Sequence, residues 1–210
     1  MGIDFQNYKE LGKFNVSRET CILLDEFKDT IIEKNKEINL IGSKTVDNFI
    51  KRHTIDCAQV IDLIDINENI CTDIGSGAGL PGIVIAILLK ERKLNIKMNL
   101  YEKSHHKSLF LEKISKKFKL NVQVFKEDLF KKKKIISGSI LSRAFKPLPV
   151  ILDLIDKNFD QYSNLVVFMG KNGKQMLKET INVWQFEYKE IKSLTSNDSF
   201  LLNIKNIKKK

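Results

Sequence analysis

Cysteine is scarce in this chain, and the little there is does not pair. Cys21, Cys57 and Cys71 are odd in number and share no CxxC spacing. That argues against a disulfide scaffold or a zinc site and fits a reduced, cytosolic setting. Long apolar runs are also missing: the longest, GIVIAILL at 82 to 89, is far too short to span a bilayer. The N-terminal MGIDFQNYKELGK is polar and has no apolar core of a signal peptide. A cytoplasmic protein off the membrane is therefore expected. Prolines number three, and no Pro/Gly-rich linker divides the chain. Glycines number only ten, yet four of them fall in TDIGSGAGLPG, residues 72 to 82.

What is present suits one folded unit. At 210 residues with 42% hydrophobic content, the chain can bury a sizeable core. Its 36 basic and 26 acidic residues give a formal charge of +10. Such an excess favours a polyanionic partner, nucleic acid first and an anionic membrane surface second. The alternative is a lysine-rich composition whose charges are simply solvated, since charge run by run is weak information.

Periodicity divides the chain into two textures. Residues 17 to 38 read as a helix opening at the N-cap Ser17, with Leu23, Leu24, Phe27, Ile31 and Ile38 at helical spacing. A second helix is expected over 46 to 64, joined to the first by INLIGSKT. From residue 70 strands and helices alternate. Strands are expected at 70–74, 96–102, 121–125, within 136–144 and at 164–170, with helices at 81–90, 108–118, 147–155 and along GKQMLKETI. FEYKEIKSL and SFLLNIKNI read as a terminal antiparallel hairpin. This pattern predicts an α/β fold, Rossmann-like, with a mostly parallel sheet and ligands at the carboxyl ends of its strands. Residues 1–66 are expected to form a helical extension on a core domain of 67–210.

The glycine cluster lies between the first strand and the first helix of that alternation. There backbone amides and a helix N-terminus approach a ligand closely. Gly77, Gly79 and Gly82 can be read as the GxGxxG of a dinucleotide enzyme, but Asp73 at the strand end would repel a pyrophosphate. A carboxylate there suits an ammonium-bearing cofactor such as S-adenosylmethionine. Glu102 ends the second strand, where an acidic group accepts ribose hydroxyls, and Asp128 follows the third, within reach of an adenine edge. His53 sits on the apolar stripe between Ile50 and Cys57, where a buried structural histidine is an equal reading. His105 and His106 have no partner spaced for a metal site.

Together TDIGSGAGLPGI, YEKSHHKSLFLEKI, ILSRAF and the upstream EINLIGSKTVDNFIKRHTIDC resemble the bacterial small-subunit ribosomal RNA guanine-N7 methyltransferase family, also called glucose-inhibited division protein B. The match runs from about residue 30 to 180. The resemblance implies a class I methyltransferase fold, S-adenosyl-L-methionine as donor, and methylation of one guanine of 16S ribosomal RNA, in the small ribosomal subunit or an assembly intermediate; a monomer is expected. Carried over by position, Asp73, Gly75, Ser76, Gly77, Gly79, Leu80, Glu102, Asp128, Leu129 and Arg143 would line the cofactor site. Arg143, His53 and Lys171 would serve catalysis, and Asn39, Arg52, Lys171 and Lys174 would meet RNA. The chain departs from the family pattern at Cys57, at the KED of 126–128 and at Asn172. N7 of guanine is an unprotonated lone pair, so transfer to it needs alignment and no general base. Three other readings stay open: a nicotinamide-dependent oxidoreductase, a methyltransferase with a non-RNA substrate, and a catalytically inactive RNA-binding factor on the same fold.

Overall fold

A computed structural model describes residues 3–210. The N-terminal part begins with a 3-10 helix, Phe5–Phe14, that the sequence pattern does not announce. It is followed by α1 (Arg18–Lys34), whose N-cap is Ser17: its hydroxyl accepts from the Thr20 amide at 3.2 Å. The expected long helix over 46–64 is replaced by broken pieces. A π-helical stretch, Ile50–Ile55, runs into a single α-turn, α2 (Asp56–Ala58), and then a 3-10 turn, Ile61–Leu63. Within the π-helical stretch the Arg52 carbonyl also accepts a hydrogen bond from outside, from Arg143 Nη2 at 2.8 Å. Such π-turns gather at functional sites.

The alternating part follows in order: β1 (Ile70–Ile74), α3 (Gly82–Glu91), β2 (Lys97–Tyr101), α4 (His105–Lys117), β3 (Val122–Phe125), β4 (Ile135–Ile136), β5 (Ser139–Ser142), α5 (Leu148–Asn158), β6 (Phe159–Gln161), β7 (Asn164–Met169), α6 (Gly173–Ile181), β8 (Trp184–Lys192) and β9 (Phe200–Lys209). Seven strands form one sheet in the order β3-β2-β1-β5-β7-β9-β8, while β4 and β6 make a separate two-stranded ribbon. The strand expected within 136–144 is β5, and the short β4 precedes it across Gly138. A Cβ there would lie 2.3 Å from that of Glu68, so the chain passes where only glycine fits. All pairings among β3, β2, β1, β5 and β7 are parallel, and β9 joins β7 antiparallel as half of the hairpin with β8.

Because side chains alternate across a strand, neighbours such as Ile140 and Leu141 in β5 belong to two different apolar clusters, one on each sheet face. The first cluster joins α3 and α4 to Leu11, Leu24, Phe27 and Ile31 of the N-terminal part. Those four are fully buried, each stabilising by about 1.5–3 kcal/mol. The N-terminal part is therefore packed onto the sheet through a continuous core. Among the described residues, no helix is long and apolar enough to cross a membrane. Strand order reverses between β1 and β5, and at such a switch point the carboxyl ends of the strands leave a crevice.

Candidate active site

The loop after β1 shows what its glycines do. Gly75, Gly77 and Gly79 have φ of +72°, +56° and +85°, a region that side chains with a Cβ rarely adopt. Gly75 has a second reason: a Cβ there would sit 2.1 Å from Cδ2 of Phe145, whose ring lies directly on the loop. The amides of Gly75 and Ser76 both donate to the Tyr101 carbonyl at 3.0 Å, tying the loop to the end of β2. The Ser76 hydroxyl donates to the Asp73 carbonyl at 3.0 Å.

Asp73 holds this loop from behind and does not itself line the cavity above it. It is 1% exposed, and its Oδ2 accepts from the Gly82 amide at 3.0 Å, at the start of α3. Its Oδ1 is buried with no hydrogen-bond partner among the described residues. Burial raises its pKa to about 7, because desolvation disfavours the charged carboxylate. Glu102 is better provided for: Oε2 accepts from the Gly77 amide at 2.9 Å and Oε1 from the Ser104 amide at 2.8 Å. A carboxylate has roughly four lone-pair sites, so Glu102 keeps acceptor capacity for a ligand.

A cavity of about 580 Å³ lies over the loop. Gly75, Ser76, Gly77, Leu80, Glu102, Asp128, Leu129 and Arg143 all line it, as the sequence pattern expects. Gly79 does not: it packs beneath the loop, where a Cβ would meet Ile83 and Leu111. Asp128 also accepts from the Phe130 amide at 3.2 Å, capping a 3-10 turn, Leu129–Lys131. The far wall is Leu40, Ile41 and Gly42. That wall is shaped by Asn35, whose Oδ1 accepts from the amides of Leu40 at 2.7 Å and Ile41 at 2.9 Å. Asn39, the residue expected to face substrate, is exposed and lines neither this cavity nor the two beside it.

A second cavity of about 650 Å³ adjoins the first, and Thr45, His53, Arg143 and Ala144 line both. Arg143 is fixed here on several sides. Its Nε donates to Asp56 Oδ2 at 3.1 Å and its Nη2 to the Arg52 carbonyl at 2.8 Å, with His53 Nδ1 at 3.2 Å. Its guanidinium also lies 5.7 Å from the centre of the Phe168 ring. An arginine can only donate, so His53 Nδ1 must accept and the imidazole proton sits on Nε2. That nitrogen then donates to Thr45 Oγ1 at 2.9 Å, and the threonine hydroxyl passes its own proton toward the Gly42 carbonyl at 2.7 Å. Burial, then the charges of Arg143 and Arg52, lower the His53 pKa to about 4. The imidazole is neutral at pH 7, with both nitrogens engaged.

The remaining expected residues lie further out. Arg52 lines the second cavity. Lys171 is exposed beside a third cavity of about 520 Å³, apart from the Arg143–His53 pair. Lys174 is ion-paired with Glu190 and lies over the Phe200 ring. Conversely, Asp56, Thr45, Asn35 and Phe145 are not singled out by the sequence pattern. Asp56 carries a signal, as the last residue of RHTID, and Phe145 follows directly on SRA.

Residues 20–202 match the family described as rRNA small subunit methyltransferase G. The chain is 54% identical over 208 residues to the ribosomal RNA small subunit methyltransferase G of Pelagibacter ubique (strain HTCC1062), covering 98% of each chain. It is 35% identical over 195 residues to the protein of that name from Rickettsia akari (strain Hartford), covering 92% of this chain and 98% of the relative. Among solved structures, a mutant of MtNAS in complex with S-adenosylmethionine is similar at TM-score 0.58 and 13% identity, covering 96% of this chain and 83% of that one. The 16S rRNA methylase RmtB is similar at TM-score 0.54 and 11% identity, covering 91% and 76%. The fold is that of the S-adenosylmethionine-dependent methyltransferases, and the chain belongs to the rRNA small subunit methyltransferase G family.

Proposed function

We propose that this protein transfers the methyl group of S-adenosylmethionine to N7 of a guanine in the 16S RNA of the small ribosomal subunit. The observation that carries this is the shared wall: Arg143 and His53 stand between a cavity over the glycine loop and a second, adjoining cavity. One cavity suits a donor and the other an acceptor base. The residues fit the donor. Asp73, buried beneath the loop, fixes its shape through the Gly82 amide without entering the cavity. Glu102 has spare acceptor capacity for ribose hydroxyls, and the left-handed glycines leave the backbone bare beside the cavity. When bound, S-adenosylmethionine supplies an electrophilic methyl on a sulfonium.

The chain's own residues align the acceptor. Guanine N7 carries no proton, so no base is needed, and the neutral, fully engaged His53 is consistent with that chemistry. Arg143 is a donor of the kind that reads guanine O6. Its Nη1 is free of hydrogen-bond partners among the described residues. His53 keeps Arg143 in place, and the two aligned groups act by proximity and orientation. Arg52, Lys171, Lys174 and Asn39 would meet the RNA, and the +10 charge supplies salt-sensitive attraction to phosphates. In this reading residues 67–210 are the methyltransferase domain, 1–66 its extension, and the protein works as a cytoplasmic monomer.

The test is transfer of labelled methyl from S-adenosylmethionine to small ribosomal subunits that lack the modification, followed by chemical cleavage at N7-methylguanine. One cleavage site in the 16S RNA is expected. Cofactor binding without incorporation into RNA would point to another acceptor.

A further inference from the structure

The turn between β8 and β9, residues 193–199, belongs by sequence to a plain hairpin, yet it reaches back to the residue that holds Arg143. Asp56 is the meeting point. Its Oδ2 accepts from Arg143 Nε at 3.1 Å. Its Oδ1 accepts from the Thr195 hydroxyl at 2.9 Å and from Gln59 Nε2 at 2.9 Å. Gln59 in turn accepts from the Leu194 amide at 3.1 Å through its Oε1. The turn is thus fastened twice to the same helical segment. Thr195 is itself oriented by Ser193, whose Oγ accepts from the Thr195 amide at 3.1 Å.

The physical consequence concerns rotation. Two donors on one oxygen restrain a carboxylate against turning about its own axis, which favours one direction for the lone pairs of the other oxygen. Here they point at Arg143. The same turn walls the second cavity through Ser193, Thr195, Ser196 and Ser199. A nucleotide entering that cavity therefore meets the segment that sets the arginine's direction.

We propose that the hairpin turn is a latch for Arg143, with Thr195 and Gln59 as positioning residues for methyl transfer. The inference rests on the proposed role of Arg143 in that reaction. The latch acts through Asp56, and neither residue need touch the reacting atoms. Because a displacement of about 1 Å in a catalytic group costs up to about a hundredfold in rate, loss of one of the latch's two fastenings should cost about tenfold.

The experiment compares Thr195→Val, which removes the hydroxyl and keeps the shape, with Thr195→Ser, which keeps the hydroxyl. Methylation of unmodified small subunits gives kcat and KM, and titration calorimetry gives cofactor affinity. Expected for Thr195→Val is kcat down about tenfold, with KM changed much less than kcat and cofactor affinity unchanged, and Thr195→Ser restored to near the parent. Gln59→Leu should behave as Thr195→Val. A kcat for Thr195→Val within twofold of the parent, or equal losses in the Val and Ser variants, would overturn the latch. An activity-free readout separates this from the functional reading: exchange of the Arg143 Nε proton, followed by NMR in labelled protein. The proton should be protected in the parent and exchange several times faster in Thr195→Val. Unchanged exchange would overturn the latch even where the RNA reaction stands. Faster exchange in a protein that methylates no RNA would uphold the latch and overturn the proposed reaction.

Discussion

The two halves of the candidate site are built in opposite ways. The cofactor side is local: one stretch of eleven residues supplies the turn, the left-handed glycines and the buried carboxylate, and Glu102 closes it from the neighbouring strand. The acceptor side is assembled from afar. Arg143 meets Asp56 across 87 positions, and Asp56 meets Thr195 across 139. Their electrostatics are opposed as well. Burial raises the Asp73 pKa to about 7 and lowers that of His53 to about 4, since in each case the charged form is the one that burial disfavours. A local half can be specified by a motif, whereas a dispersed half depends on the whole fold arriving in register.

The largest effect should come from breaking the local half at Gly75. Gly75→Val places a β-branched residue at φ +72° and its Cβ 2.1 Å from the Phe145 ring. Cofactor binding measured by calorimetry should fall below detection. Next is the dispersed half. Arg143→Lys keeps the charge but loses the planar fork that serves Asp56, Arg52 and His53 at once. Methyl transfer at saturating cofactor should slow by about a hundredfold. Glu102→Gln is milder. It replaces charge-assisted bonds from the Gly77 and Ser104 amides by weaker ones, and should weaken cofactor binding by about tenfold.

Smaller still is a pH effect that sets the halves against each other. Between roughly pH 3.9, the ordinary aspartate value, and about pH 7, the unfolded chain gives up the Asp73 proton that the fold keeps. This group therefore lowers stability as pH rises through that window. His53 acts in reverse: between about pH 4 and roughly 6.5 the unfolded chain takes a proton that the fold refuses. Its contribution is full above 6.5 and is lost as pH falls. Asp73→Asn should leave the His53 slope unopposed, so that stability in urea rises more steeply from pH 4 to 6.5. His53→Gln should tilt the slope the other way. An unchanged slope in both would contradict the assignment. Smallest of all is Lys174→Ala, within twofold in subunit binding, because its ammonium is already paired with Glu190 and one exposed charge contributes little.

The same contrast governs what could be read from sequence. Asp73, the glycines and Glu102 were legible because strand ends and turn chemistry place them without reference to the rest of the chain. The parallel sheet and its antiparallel hairpin were legible for a similar reason, through short apolar runs between helices. The break-up of the helix expected over 46–64 was not, because apolar spacing does not tell a π-helical or 3-10 turn from an α-turn. The strand expected within 136–144 is present as β5, but the two-residue β4 before it was not legible, because its partner β6 comes from another segment. Asn39 is exposed beside the wall residues Leu40 and Ile41, and it is Asn35, just past the end of α1, that holds their amides. Nothing local marks Thr195, since its significance comes only from where the hairpin turn lands.

The most direct test measures cofactor affinity in Arg143→Lys and Glu102→Gln side by side, by calorimetry under one condition. Separately built halves predict that Arg143→Lys binds S-adenosylmethionine within about twofold of the parent while transferring methyl about a hundredfold more slowly, and that Glu102→Gln loses affinity. Equal loss of cofactor affinity in both variants would contradict that account, making Arg143 part of the donor site and the two halves one.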